Sequence, residues 1–285
     1  GVQVTFRLDP QIIIPDGYRR VASMSKPRNF AESDNISEII EQTGAEIETG
    51  RYPLAITNNR DLYELERRRI FGRAWIYLGH VSEFAEPGDY ARRYIGEDPF
   101  IVTRDETGDL HAFLDSCMHR GAQFCTAENG NTSHFRCPYH GWTYKNDGSL
   151  QGMPHMAEAY QDLDEEEISL EEAELDTYQG LVFGRIAEEG PDLEAYLGDF
   201  TWYLDVLFGT TEAGMTVVGE PHRWESDHDW KISADNFSGD SYHVLTTHQA
   251  GLETENLARG PWEELEAALG ADPAPRCDDC TFPDE

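Results

Sequence analysis

The sequence predicts an α+β chain in which a small antiparallel β domain, from about Arg73 to Ala187, lies between helical stretches. Short strand-like runs recur at Trp75 to Leu78, Phe100 to Thr103, Leu110 to Leu114 and Leu181 to Ile186. Turn clusters at Pro87-Gly88, Thr107-Gly108-Asp109 and Asp147-Gly148 separate them. Upstream, Leu62, Leu65, Ile70 and Phe71 recur at near-helical spacing, with Asp61 in the first turn and Gly72 at the stop. Downstream of Pro191, Leu193, Tyr196, Leu197, Phe200 and Leu204 resume the helical period.

The 285 residues leave room for about two domains. Acidic residues number 55 against 22 basic ones, for a net charge of -33. Such a chain does not gather around nucleic-acid phosphates or an anionic membrane face unless it hides a basic patch. Disorder is excluded by 39% hydrophobic and 11% aromatic residues, enough for a sizeable core. Of the 22 basic residues only Lys26, Lys145 and Lys231 are lysines. A carboxylate-rich, lysine-poor surface fits a halophile's cytoplasmic protein, hydrated where the Debye length shortens to roughly 3 Å at 1 M salt. No apolar run approaches the ~18 residues of a membrane span, and no leader of secretory type is visible. Five cysteines, three of them clustered with histidines, point to metal or redox chemistry in a reducing compartment rather than to disulfides.

Residues 1–23 carry three arginines against two aspartates and read as a possible non-native leader or an arm, with Met24 as a candidate native start. Residues 24–72 form an N-terminal helical segment, 73–187 the β domain and 188–285 the start of a further domain. Residues 162–176 hold nine carboxylates in fifteen positions and are expected to form a solvated surface insertion.

Residues 117–144 read CMHRGAQFCTAENGNTSHFRCPYHGWTY. Cys117 and His119 are two apart, Cys137 and His140 three apart, and seventeen residues lie between the pairs. Each pair can sit at the tip of a β-hairpin, so that two loops pinch one metal centre. Two thiolates and two imidazoles suit a structural zinc. They equally suit a two-iron, two-sulfide cluster with cysteines on one iron and histidines on the other.

With Gly121, Pro138 and Gly141-Trp142 around the pairs, the segment closely resembles the Rieske cluster motif. That resemblance implies that Cys117 and Cys137 ligate the inner iron of a [2Fe-2S] cluster, and His119 and His140 the outer iron. Neutral imidazoles in place of thiolates reduce the cluster's negative charge and raise its potential. Respiratory Rieske proteins carry an extra disulfide-forming cysteine in each loop. Here Tyr139 stands at one such position, and Cys125 lies too far from the first pair to be the other. Trp142 replaces their hydrogen-bonding serine, so a donor is lost and the potential is expected to be lower. The loops therefore resemble the low-potential clusters of ring-hydroxylating oxygenases. Cys125 reads as a small buried hydrophobe.

Residues 234–248 read ADNFSGDSYHVLTTH. Asn236, Asp240 and His243 stand at i, i+4 and i+7, on one face of a helix. His248 is five beyond His243, and about 500° of ideal helix leaves the two roughly 140° apart. They cannot share a metal on one straight helix, so one lies past a break or at a helix end. Two histidines with one carboxylate and open positions make the facial triad of non-haem Fe(II) oxygenases. The segment resembles the N-x-x-x-D-x-x-H-x-x-x-x-H motif of the α subunits of Rieske non-haem iron oxygenases, the aromatic-ring-hydroxylating dioxygenases. The resemblance runs from about Asn58 to Gly251 and includes Pro87-Gly88-Asp89-Tyr90 and Arg104-Asp105.

By that resemblance His243 and His248 are ligands of a mononuclear Fe(II), and Asn236 and Phe237 line its site. Asp240 bridges to the cluster ligand of a neighbouring subunit and carries electrons to the iron. The β domain is implied to be inserted in a helix-grip-like catalytic domain. The family's third iron ligand is an Asp further downstream, so the chain reads as a truncated α subunit, inactive alone. The implied activity is insertion of O2, as co-substrate, into an aromatic compound in aromatic catabolism. Electrons come from NAD(P)H through a reductase and possibly a ferredoxin. A homotrimer, with or without a small β subunit, is the implied assembly. The other reading is a Rieske-type electron-transfer protein without oxygenase activity.

Overall fold

The computed structural model describes residues 36–156, 168–219, 221–223, 226–238 and 248. Described residues from Tyr63 to Gly219 fall in one compact unit; those up to Leu62 and from Pro221 onward fall in another. Helix α1 (Ile36–Ile47) buries Ile39 and contacts a 3-10 turn at Leu54–Thr57. Helix α2 (Arg60–Glu66) starts where Asn59 Oδ1 accepts from the Leu62 amide at 2.9 Å, a side-chain cap for an orphan donor. It runs into one π-type turn (Arg67–Phe71) that buries Arg67. That guanidinium meets the buried Asp98 carboxylate at 3.4 Å, so two costly charges are buried as a pair.

Ten strands follow among the described residues: β1 (Ile76–His80), β2 (Asp89–Ile95), β3 (Asp98–Arg104), β4 (Leu110–Leu114), β5 (Asn129–Asn131), β6 (His134–Arg136), β7 (Thr143–Lys145), β8 (Leu150–Gly152), β9 (Glu174–Tyr178) and β10 (Leu181–Arg185). All ladders are antiparallel, in sheets ordered β4-β3-β2-β5, β1-β10-β9 and β6-β7-β8.

The period of two along β3 and β4 divides the interior. Ile101 and its partner Phe113 face one core, with Phe124, Phe135, Trp142, Tyr144 and both loop cysteines. Phe100 and Val102, opposite Leu114 and Ala112, face a second core with Leu78, Phe84 and Ile95. The first core is the floor beneath Cys117 and Cys137. Each large side chain fully withdrawn from water contributes about 1.5–3 kcal/mol, so the floor is strongly held.

The acidic run is not a plain solvated insertion. Residues 157–167 lie outside the described residues, but the part beyond them packs. Leu170 and Ala173 are buried, and Ala173 donates to Ala112 O at 2.8 Å. Glu174 and Asp176 sit in β9. Between the carboxylates, Leu170, Ala173 and Leu175 turn inward.

Glu172 also pairs with His111, whose Nδ1 lies 2.8 Å from it and whose Nε2 lies 3.3 Å from Asp105. The hydrogen bond to Glu172 outweighs burial and, with Asp105, raises His111 from 6.5 to about 9. Burial pushes Asp105 up, but bonds from Thr107, Asp109 and His111 overcome it and hold the carboxyl at about 2. A raised histidine contributes stability that is complete below its unfolded pKa and is lost as pH rises through the folded value. Glu172 is half exposed, so after screening roughly 1–2 kcal/mol is expected. The gap in melting temperature between wild type and His111→Gln should therefore shrink as pH rises from 6.5 to about 9. A gap that stays constant across that window would show that the clamp carries no charge.

Beyond Pro191 the helical stretch is two helices, α3 (Leu193–Leu197) and α4 (Phe200–Phe208), broken at Gly198 with φ 49°. Asp192 caps the first through the Ala195 amide at 2.8 Å. Leu193 and Leu204 pack with Trp75, Leu181 and Phe183 in a third core. The indole of Trp75 donates to Pro191 O at 3.1 Å, and Arg185 lies over its ring at 4.7 Å. Helix α5 (Trp230–Ser238) contacts the 3-10 turn at Leu54–Thr57. Among the described residues no helix is long and apolar enough to cross a membrane.

Candidate metal centre

Two loops carrying the paired Cys and His residues are built alike. In the first, Gly121 N donates to Cys117 O at 2.7 Å and Cys117 N to Ala122 O at 3.0 Å. In the second, Gly141 N donates to Cys137 O at 3.0 Å and Cys137 N to Trp142 O at 2.8 Å. Each cysteine is thus followed, four residues on, by a glycine that turns the chain back. Gly121 has φ 67° and Gly141 φ 75°, the left-handed region that other residues enter only with strain. This shared closure explains why the Cys–Gly spacing is constant while the histidine moves from the second to the third position after the cysteine.

Only the second loop is a hairpin tip, between the paired strands β6 and β7. The first leaves β4 and returns to β5, with β3 and β2 between them in the sheet, so the expected hairpin is corrected here. Asp115 holds it instead. Its fully buried carboxylate accepts from the Phe124 and Cys125 amides at 2.9 and 3.1 Å. Burial lifts this carboxyl to about 6 despite those bonds.

Cys117, Cys125 and Cys137 are buried free thiols. Burial pushes the Cys117 thiol up, and a hydrogen bond from Tyr144 opposes that. Tyr144 Oη accepts from Met118 N at 3.1 Å and lies 3.5 Å from Cys117 Sγ, leaving its proton for the sulfur. Tyr144 thus supplies a hydroxyl donor at a cysteine sulfur. Tyr144 was not apparent from the motif, though its place two residues after Trp142 on a strand puts both rings on one face.

The rings of His119 and His140 lie with centroids 4.5 Å apart. Burial first, then His140 and Arg120, lowers the pKa of His119, the direction that favours the neutral ring a metal would need. Its Nδ1 is buried without a hydrogen-bond partner. Neither loop carries a carboxylate: residues 116–127 and 129–146 contain no Asp or Glu in a chain with 55. Open grooves flank the second loop, and Arg136 and Gly141 line both.

This donor set fits a two-iron cluster. A buried imidazole nitrogen without a partner, in a pair of loops that also holds two buried thiols, is what an electrophilic group would satisfy. Among the described residues no three His, Cys, Asp or Glu side chains converge on one ion, as zinc demands. Donors shared between two irons need no such convergence. Cys125 stays apart: burial and then Asp115 push its thiol to about 11, in keeping with a small buried hydrophobe.

Of the second constellation, Asn236 lies exposed on α5 next to the exposed Phe237, and His248 is exposed. Asp240 and His243 lie outside the described residues.

Two loops of this construction on a three-sheet antiparallel scaffold define a Rieske-type iron–sulfur domain, and residues 74–178 match the Rieske [2Fe-2S] domain family. Beyond that domain, most of the chain is similar to Rieske oxygenase alpha subunits. It is 38% identical over 255 residues to N,N-dimethyl phenylurea N-demethylase subunit alpha of Sphingobium sp. (strain YBL2), covering 89% of this chain and 54% of that protein. It is 40% identical over 204 residues to chlorobenzene dioxygenase subunit alpha of Cupriavidus sp. (strain PS12), covering 71% and 45%. The crystal structure of naphthalene 1,2-dioxygenase from Rhodococcus sp. bound to indole superposes with a TM-score of 0.73 at 46% identity, over 78% of this chain and 51% of that one. The chain spans about half the length of the curated relatives it matches.

Proposed function

We propose that this chain is the cluster-bearing part of an oxygenase component acting on an aromatic compound. The observation that carries the reading is the buried, unpartnered His119 Nδ1 in one of two glycine-closed loops whose cysteines are buried free thiols, with the Asn236-to-His248 motif downstream in sequence. When bound, the cluster stores and passes single electrons and a mononuclear Fe(II) activates O2, chemistry that the cofactors bring and the protein positions.

Cys117 and Cys137 hold the inner iron, and His119 and His140 the outer one. Carboxylate-free loops keep negative charge away from them. His243 and His248 bind the mononuclear iron, Asn236 and Phe237 line its surroundings, and Asp240 carries electrons from the cluster of a neighbouring subunit to the mononuclear iron. Residues 73–187 form the cluster domain, while 24–72 and 188–285 belong to the catalytic part. Electrons come from NAD(P)H through a reductase, with or without a ferredoxin, and the working assembly is a homotrimer with or without a small β subunit. The relatives include a demethylase and ring dioxygenases, so an aromatic substrate fits both chemistries. The acidic, lysine-poor surface adds a cytoplasm rich in salt as its setting.

The test is turnover of aromatic compounds by the full-length gene product, in low salt and in molar KCl. His243→Ala should abolish turnover while about two irons of the cluster remain per chain. Turnover that survives His243→Ala would sink the oxygenase assignment. A wild type that is red-brown and reducible but never consumes O2 would favour an electron-transfer protein. Activity lost in molar KCl would remove the halophilic setting.

A further inference from the structure

Tyr139, His140, His119 and Trp142 form a continuous row of rings. Tyr139 and His140 have centroids 3.9 Å apart at 35°. His140 meets His119 at 4.5 Å and 72°, and His119 lies against Trp142 at 5.0 Å and 6°, nearly parallel. Trp142 belongs to the second loop, where its carbonyl closes the turn, yet its indole stacks on the histidine of the first. The stack therefore ties one loop to the other.

We propose that Trp142 and Tyr139 are positioning residues that fix the His119 and His140 imidazoles before iron arrives. The proposal rests on the cluster reading above and goes beyond it. Trp142 is buried in the apolar floor, so its indole is a fixed plate. His119 Nδ1 is buried and unpartnered, and a ring free to swing would turn that nitrogen to water. A parallel indole opposes that rotation, because flat rings stack favourably at this separation. Tyr139 is 58% exposed, so core packing does not explain its ring; its neighbour is the His140 imidazole. An imidazole held in place binds without first losing rotational freedom, and residues that orient ligands in this way govern how firmly a metal is kept.

The experiment uses the whole chain, reconstituted with iron and sulfide, in wild type, Trp142→Leu, Trp142→Phe and Tyr139→Ala. Leucine fills space without a plate, phenylalanine keeps one, and Tyr139 can be removed from the surface without opening the core. The readouts are the nitrogen hyperfine couplings of the reduced cluster by pulsed EPR and the rate of bleaching by a chelator. Trp142→Leu should alter the coupling of one imidazole and Tyr139→Ala that of the other. Both should lose the cluster about 10-fold faster, while Trp142→Phe stays near wild type. Should Trp142→Leu fail to fold, Tyr139→Ala decides the matter alone. Wild-type couplings and wild-type bleaching in the variants that fold would overturn the proposal and leave the cluster reading intact. A wild type that takes up no cluster would overturn both.

Discussion

Cys137→Ala should fold normally and bind almost no iron, whereas Cys125→Ala should keep about two irons per chain. Both thiols are buried in the same apolar floor, so packing cannot tell them apart. The difference lies in their surroundings. Cys137 sits at the start of a closed turn beside Cys117, close enough that the two thiols interact. Cys125 faces Asp115, its thiol is held at about 11, and its Sγ lies 3.4 Å from Ala127 O. Folding should survive in Cys137→Ala because the turn is closed by Cys137 N to Trp142 O and Gly141 N to Cys137 O, neither of which uses the thiol. Iron and acid-labile sulfide analysis, with far-UV circular dichroism on the same samples, measures both. Iron retained by Cys137→Ala, or lost by Cys125→Ala, would refute the ligand assignment.

Tyr144→Phe should load the cluster and lower its reduction potential by about 60 mV, near 1.4 kcal/mol for one electron. The hydroxyl receives the Met118 amide proton and offers its own proton to Cys117 Sγ. Reduction adds negative charge that spreads onto the ligand sulfurs, so a donor there stabilises the reduced state more than the oxidised one. Removing only the oxygen leaves the ring stacked on Phe124 at 5.7 Å, which keeps the packing comparable. The Met118 amide loses its acceptor, and a drop in melting temperature worth about 1–3 kcal/mol should accompany the shift. Potentiometry followed by EPR reads the first effect. An unchanged potential would mean that the hydroxyl serves the backbone alone.

The cluster residues were legible in the sequence because their chemistry and their local turns share one spacing. Cys, His and Gly lie within five residues of each other in both loops, and the closing hydrogen bonds are equally local. The strands were legible for a similar reason: β3 and β4 are short apolar runs bounded by turn residues. What reaches across the chain was not. Tyr144 meets Cys117 across 27 residues, and Asp115 accepts from amides nine and ten positions on. The first loop was expected at a hairpin tip because sequence order favours pairing of neighbours, and the order β4-β3-β2-β5 departs from that. In the acidic run, charge hid Leu170, Ala173 and Leu175, whose inward faces depend on distant partners such as Ala112, whose carbonyl accepts from Ala173.

Main-chain closure of both loops sets an order of manufacture. In many small metal-binding domains the ion gathers the ligands and folding waits for it. Here both turns are closed by peptide groups and the three cores are packed by side chains, so folding ahead of metal delivery is the expected order. The polypeptide is then expected to fold before iron and sulfide are delivered. A cluster destroyed by oxidation would leave behind a vessel ready for refilling rather than a chain that must fold again.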